Sequence, residues 1–311
     1  MHLFRDYAAM KVTALRLFLR VARVVPPPLA WWMGERLGWL VGALPLRDVR
    51  RCSEHLARAF PHADTQWVRR TTQGCFRHFG ATALWTLVNW TRDATQLRRG
   101  IMVEGAEHLR DLVRAGRRGE GTVVFTGHLG NWELLARTFG GLTPSAVIGK
   151  RLRDPALDAV VQEQRSSGGA LVVYQDADVR ELMRILRSGR LIATLADQDI
   201  PQLAGCFVPW FGDLAWTPVA PAALALAART PVQPFFLFRR AGRWVLHAGP
   251  RVRFVRGTDR TADQLAITAW VTAYEEALVR QLPEQWVWWH KRWRTRPGLA
   301  GLRETQDMHI L

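Results

Sequence analysis

His128 and Glu133 stand five positions apart where an apolar run gives way to a helical pattern, in the stretch GTVVFTGHLGNWELLAR. Histidine is a general base near neutral pH, and a carboxylate beside it fixes its tautomer and stabilises its cation. Thr122–Thr126 reads as a buried strand, and Asn131 reads as the cap of a helix beginning at Trp132. Within a single helix, residues five apart lie about 140° round the axis, so the pair can meet only if His128 precedes the helix in a turn. Gly127 and Gly130 permit that turn. Glu133 then falls in the first helical turn, favoured by the helix dipole, with its side chain expected to reach back to the imidazole. The competing reading is a glycine-rich strand-to-helix turn with an incidental histidine.

Three further stretches carry chemistry. Lys150, Arg151 and Arg153 follow a strand and precede a helix, which suits either an anion clamp or a solvated basic turn, and Arg165 lies at the far end of that helix. Asp197 and Asp199 follow the strand Leu191–Leu195, at the sheet edge where open α/β folds place their sites; carboxylates there can orient a base, pair with a guanidinium, hold a metal or simply make a turn. Pro283–Pro297 interleaves Trp286, Trp288, Trp289 and Trp293 with His290, Lys291, Arg292, Arg294 and Arg296. That pattern fits stacking on single-stranded nucleic acid or lying against lipid headgroups.

The elements that must position these residues emerge from patterning. Strands are expected at Ile101–Val103, Thr122–Thr126, Ser145–Ile148, Leu171–Val173, Leu191–Leu195 and Val232–Phe238. Helices fall between them near Glu107–Ala115, Asn131–Phe139, Pro155–Ser166, Asp178–Arg187 and Thr217–Ala228. Such alternation predicts an α/β fold with a mostly parallel sheet flanked by helices. Arg243–His247 and Arg251–Phe254 are expected to pair as a late antiparallel edge, followed by a long helix over Thr261–Gln281.

The first ninety residues read as helical. Arg16, Arg20 and Arg23 share one face of a helix over Lys11–Val25, with Leu15, Phe18, Leu19, Ala22 and Val25 on the remainder, the form of a helix lying in an anionic membrane interface. Leu29–Leu46 is apolar but interrupted by Glu35 and Arg36, so no charge-free run reaches the ~20 residues of a span. Residues 1–45 are therefore read as a membrane-associating unit and 46–311 as the main domain, with packing against that domain as the alternative for the first unit. No signal-peptide pattern is present.

Composition bounds the rest. A hydrophobic content of 48% over 311 residues predicts a sizeable core. Cys52, Cys75 and Cys206 have no metal-ligand or CxxC spacing. The 43 basic against 27 acidic residues, nearly all of the former arginine, imply an acidic partner.

In order and spacing, HLGNWE, DQD with CFVPWFGDLAWTP, PVQPFF and PEQWVWWHKRWRTRP, together with HLARAFP near the start, resemble the bacterial lipid A biosynthesis acyltransferases, the lauroyl and myristoyl transferase family. The resemblance runs from about Val49 to Pro297. It implies transfer of a fatty acyl chain from acyl carrier protein to a hydroxyl of a lipid A precursor glycolipid at the cytoplasmic face of the inner membrane, on a fold like that of the glycerol-phosphate acyltransferases. It maps the family's H-x4-D/E motif onto His128 and Glu133 as catalytic residues. Arg165, Asp197 and Asp199 match positions resembling a second shell, and with Lys150, Arg151 and Arg153 they are assigned to substrate binding. Glu54-His55 departs from the family pattern. Direct transfer needs no metal or cofactor because a thioester is already activated, and no G-x-S-x-G elbow supports a covalent route. A phosphatidylinositol mannoside or lysophospholipid acyltransferase would use the same machinery. A basic nucleic-acid-binding protein is the reading from another class, and it leaves the HLGNWE turn unused.

Overall fold

The computed structural model describes Thr13, Leu17, Leu19, Val21, Ala22 and residues 24–90 and 92–298. The arginine face expected from Arg16, Arg20 and Arg23 lies outside the described residues.

Among the described residues from Pro27 on, four helices come first: α1 (Pro27–Ala43), α2 (Arg47–Ala59), α3 (Thr65–Asn89) and α4 (Ala94–Arg99). Proline at its start opens α1, where the missing N–H costs nothing. Asp64 caps α3 by accepting from Trp67 N–H at 2.6 Å. Alternation follows as β1 (Ile101–Glu104), α5 (Ala106–Arg117), β2 (Thr122–Thr126), α6 (Trp132–Phe139), β3 (Ser145–Gly149), α7 (Pro155–Ser166), β4 (Leu171–Tyr174), α8 (Val179–Arg187) and β5 (Leu191–Leu195). A hairpin, β6 (Gly205–Trp210) and β7 (Asp213–Pro218), precedes α9 (Ala220–Ala228), β8 (Val232–Arg240), β9 (Arg243–Ala248) and α10 (Arg260–Gln281).

Seven strands form the main sheet in the order β1-β9-β8-β2-β5-β3-β4. Only the β8–β9 pairing is antiparallel, so β9 and β1 run against the other five strands. The expected late edge is thereby corrected. β9 lies inside the sheet between β8 and β1, and the Arg251–Phe254 stretch contributes an isolated bridge, Val252 to Val232, in place of a strand. The helix expected from Thr217 begins at Ala220, because Thr217 and Pro218 belong to β7. Neither hairpin strand was anticipated from the sequence.

Alternate residues of the sheet feed opposite faces, as the two-residue period requires. Val124, Ala193, Phe235 and Leu237 pack with Leu134, Leu135 and Phe139 of α6 and Leu112 of α5. Val123, Phe125 and Ile192 face α8, α9 and α10. A third cluster joins Cys52 and Leu56 of α2 to the hairpin's Trp210 and Ala215, to Phe236 and Phe238, and to Trp286, Trp288 and Trp293.

Helix α1 lies along α3 at backbone contact. A Cβ on Gly34 would come within 2.4 Å of the Gly80 carbonyl oxygen, and one on Gly38 within 2.1 Å of the Phe76 carbonyl oxygen. Its opposite side exposes Leu29, Trp32, Met33, Leu37, Trp39 and Leu40. No helix of the described residues is long and apolar enough to cross a membrane.

Candidate active site

His128 follows β2 at the carboxyl end of the sheet, in a turn that the neighbouring backbone specifies. Gly130 has φ +67°, and a Cβ there would meet the Leu237 carbonyl oxygen at 2.1 Å, so both conformation and space demand glycine. Gly130 N–H donates to the Gln285 carbonyl at 2.8 Å and Asn131 N–H to that of Leu237 at 2.7 Å, which lays the turn on the C-terminal segment and β8. Asn131 caps α6, accepting from Leu134 N–H at 2.9 Å while its amide donates to Thr86 at 2.8 Å. The strand, turn and capped helix expected around His128 are all present.

The partner of the imidazole differs from the one expected. His128 Nδ1 lies 2.8 Å from Asp197 Oδ1, and the His128 backbone N–H donates to Asp197 Oδ2 at 2.7 Å. Glu133 makes no hydrogen bond to the ring. Its carboxylate is held by Arg165, Nε to Oε2 at 2.9 Å and Nη2 to Oε1 at 2.6 Å, a two-point fork across α6 and α7. The expectation that Glu133 reaches back to His128 is thus corrected: a guanidinium in forked geometry claims both its oxygens, while Asp197 arrives from the end of the adjacent strand β5. Sequence spacing favoured the near carboxylate, whereas sheet adjacency, β2 against β5, supplies the far one.

Because an ionised carboxylate only accepts, the Nδ1 of His128 carries the hydrogen and Nε2 keeps its lone pair. The His128 side chain is 17% exposed and that of Asp197 1%, so the imidazole is reachable and its partner is walled in. Burial opposes ionisation of Asp197, yet the adjacent His128 ring and the N–H donors hold its carboxyl well below the usual carboxylate range. His290 packs edge-on against His128 with ring centres 4.8 Å apart, and burial, with the neighbouring imidazole second, lowers it to about 4. The Gln198 side-chain nitrogen bridges the two, 3.0 Å from His128 Nε2 and 3.2 Å from His290 Nε2. Neither Gln198 nor His290 was singled out as a site residue. Their presence in the DQD and WWHKR stretches was visible, but the fold alone brings them together.

Asp199 departs from its expected substrate role. Both its oxygens accept from Thr295, the backbone N–H at 2.6 Å and Oγ1 at 2.8 Å, so it fastens the chain beyond the site. Lys150, Arg151 and Arg153 are exposed, and Arg151 stacks on Tyr174 at 3.6 Å. Arg165 keeps one guanidinium nitrogen, Nη1, without a partner although it is buried. Among the described residues no group of histidines, cysteines and carboxylates is placed to hold a metal.

The aromatic and basic segment after Pro283 is corrected most. Trp286, Trp288 and Arg292 are wholly buried and Trp293 nearly so, which removes the surface platform expected for nucleic acid or headgroups. Arg292 donates to the Trp216 carbonyl at 2.7 Å and to Thr217 Oγ1 at 2.8 Å. His55, where the sequence departs from the family pattern, binds the Trp288 carbonyl at 2.7 Å and stacks edge-on against Trp293. The early HLARAFP stretch is therefore a clasp on the C-terminal segment.

The profile described as bacterial lipid A biosynthesis acyltransferase matches residues 6–295. The lipid A biosynthesis lauroyltransferase of Escherichia coli K12 is 26% identical over 271 residues, covering 84% of this chain and 85% of that one. The lipid A biosynthesis palmitoleoyltransferase of the same strain is 23% identical over 287 residues, 88% and 87% of the two chains. A phosphatidylinositol mannoside acyltransferase of Mycolicibacterium smegmatis is 25% identical over 195 residues, 60% of each.

Proposed function

Because the chain belongs to the bacterial lipid A biosynthesis acyltransferase family, we propose that it transfers a fatty acyl chain from acyl carrier protein directly to a hydroxyl of a lipid A precursor, with His128 as general base. The observation that carries this reading is the 2.8 Å contact of His128 Nδ1 with the buried Asp197 carboxylate, which leaves the lone pair on Nε2, facing the Gln198 amide, to take a proton. The acceptor oxygen attacks the thioester carbonyl as His128 removes its proton; collapse of the tetrahedral intermediate breaks the C–S bond, and the imidazolium returns the proton to the thiolate. General-base assistance is worth roughly 10²–10⁴ in rate. The Gln198 amide stands beside Nε2, where the acceptor hydroxyl must approach, and so yields to it.

Arg165 is the candidate for the developing oxyanion or an acceptor phosphate: Glu133 locks two of its nitrogens and leaves Nη1 uncommitted. Of the N–H groups from Gly130 to Trp132, those of Gly130 and Asn131 are already used, which leaves that of Trp132. Lys150, Arg151 and Arg153 suit the phosphates or carboxylates of the glycolipid. The exposed apolar side of α1 is read as the membrane contact, at the cytoplasmic face of the inner membrane, and a glycerol-phosphate-acyltransferase-like arrangement of the core belongs to the same reading.

The test is incubation of the full chain in membranes with loaded acyl carrier protein and defined acceptors, followed by mass measurement of the lipid product. Acylated lipid A precursor is expected. Product only on phosphatidylinositol mannoside, or only from a coenzyme A thioester, would reject the acceptor or the donor respectively. His128→Ala should lower turnover at least about a hundredfold in a folded protein. Charge reversal at Arg151 and Arg153 should raise KM for the acceptor more than for the donor, and equal effects would dismiss the assignment of that cluster.

A further inference from the structure

A second carboxyl group lies behind the first. Glu275, in the second half of α10, is 6% exposed and packs directly under the catalytic turn: a Cβ on Gly127 would stand 1.9 Å from its Oε1. The Trp286 indole N–H is shared between the two carboxyls, 3.0 Å from Asp197 Oδ2 and 3.2 Å from Glu275 Oε1. Two adjacent buried carboxyl groups do not both ionise. Asp197 receives three N–H donors, the ring and backbone of His128 and the indole of Trp286. Glu275 receives only the shared indole, whose bonds to both carboxyls set the Glu275 side chain beside that of Asp197. The donors thus select Asp197 as the anion.

We propose that Glu275 is a positioning residue held as the neutral carboxylic acid, its O–H donating to the Asp197 carboxylate and fixing that carboxylate for His128. Donation into Asp197 lowers its basicity, so the proton between Asp197 and His128 stays on Nδ1 and the lone pair stays at Nε2. It also keeps a second negative charge away from the pair. Burial and the adjacent Asp197 charge both raise the Glu275 carboxyl well above the usual range. The charged groups that face it are Asp197 from the loop after β5 and Arg292 from the C-terminal segment, while His128 and His290 face Asp197. Arg292 directs two of its guanidinium nitrogens to Trp216 and Thr217, and no hydrogen bond joins it to Glu275.

This inference rests on the reading of His128 as base, and the experiment separates the two. Infrared difference spectra of the folded full chain at neutral pH, wild type against Glu275→Gln, should contain a protonated carboxyl C=O band that the variant lacks; no such band overturns the proposal whatever the activity. Glu275→Gln keeps a donor and zero charge, so kcat/KM should stay within about threefold and the acidic limb of its pH profile should not move. A limb displaced to lower pH in that variant would mean that a negative charge had been removed, and would equally overturn it. Glu275→Leu should lower kcat about tenfold or more with little change in KM, since the donor is gone. Full kcat in folded Glu275→Leu would deny the positioning role. Activity surviving in His128→Ala would condemn the base reading while leaving the infrared result standing.

Discussion

Two tryptophan-rich stretches with interspersed cations, α1 with its flanks and the segment after Pro283, look alike in composition and end in opposite environments. Trp32 and Trp39 of α1 are 52% and 49% exposed, whereas Trp286 and Trp288 are at 0%. In α1 the small residues Ala30, Gly34 and Gly38 fall on one side and set it on α3, so the large apolar residues are left outside. The C-terminal segment has no repeating small face. Its backbone is instead tied by particular side chains, His55 and Arg51 on the carbonyls of Trp288 and Trp289 and Asp199 on Thr295, while its own Gln285 side chain binds the Arg239 backbone of β8. Tryptophan beside arginine therefore does not by itself indicate a membrane surface; what distinguishes the two is which backbone groups find protein partners.

Trp286→Ala should separate the two stretches most sharply. Loss of a fully buried indole costs about 3–5 kcal/mol by the usual large-to-small penalty, and it removes a donor from Asp197, so calorimetry should show a large drop in melting temperature together with lost transfer activity. The matching change on α1, Trp32, Leu37 and Leu40 all to Ser, should leave the melting temperature nearly unchanged, within about 0.5 kcal/mol per site, but should abolish binding to anionic lipid vesicles in a flotation assay. Retained binding there would move the membrane contact elsewhere. Whole deletion of residues 1–45 is a poorer test, because Trp31 stacks on Trp244 and His78 and its loss would open the core.

Two smaller effects sharpen the contrast. Asp199→Ala should cost about 1–3 kcal/mol by leaving the Thr295 donors unmet, whereas charge reversal at exposed Arg294 or Arg296 should be near neutral. Acid should also act through the C-terminal segment. His290 is held at about 4 against an ordinary 6.5, so below pH 6.5 the unfolded chain binds a proton that the native one refuses. Stability then falls as pH drops from 6.5 toward about 4, and His290→Gln should flatten that part of a pH–denaturation curve. Glu275 has the opposite sign: its raised carboxyl favours the native state at low pH and costs stability as pH climbs above about 4.3. Glu275→Gln should therefore gain stability over wild type as the solution is made more alkaline.

Much of the fold was legible because buried parallel strands are short, apolar and separated by capped helices. Thr122–Thr126 and Leu191–Leu195 were read to the residue. The hairpin was hidden because its turn, Phe211-Gly212, takes positive φ at both positions with phenylalanine in the first, an unusual choice for that geometry. At the site the sequence offered His128 in its turn, and it left open that a carboxylate after β5 orients a base. It could not choose between Glu133 and Asp197, since that depends on which strand neighbours β2 and on a salt bridge from a helix thirty-two positions on. Glu275 had no signal at all: it sits in an ordinary helical EE pair, and only its burial against Gly127 marks it.

The indole shared by the two carboxyls also sets an order in time. Asp197 follows His128 by 69 residues, and Trp286 follows Asp197 by a further 89. At ribosomal speeds of about 5–20 residues per second, His128 is made on the order of ten seconds before Trp286. Until Trp286 is made, the His128 turn lacks the indole that the two carboxyls share and the C-terminal segment on which Gly130 is laid.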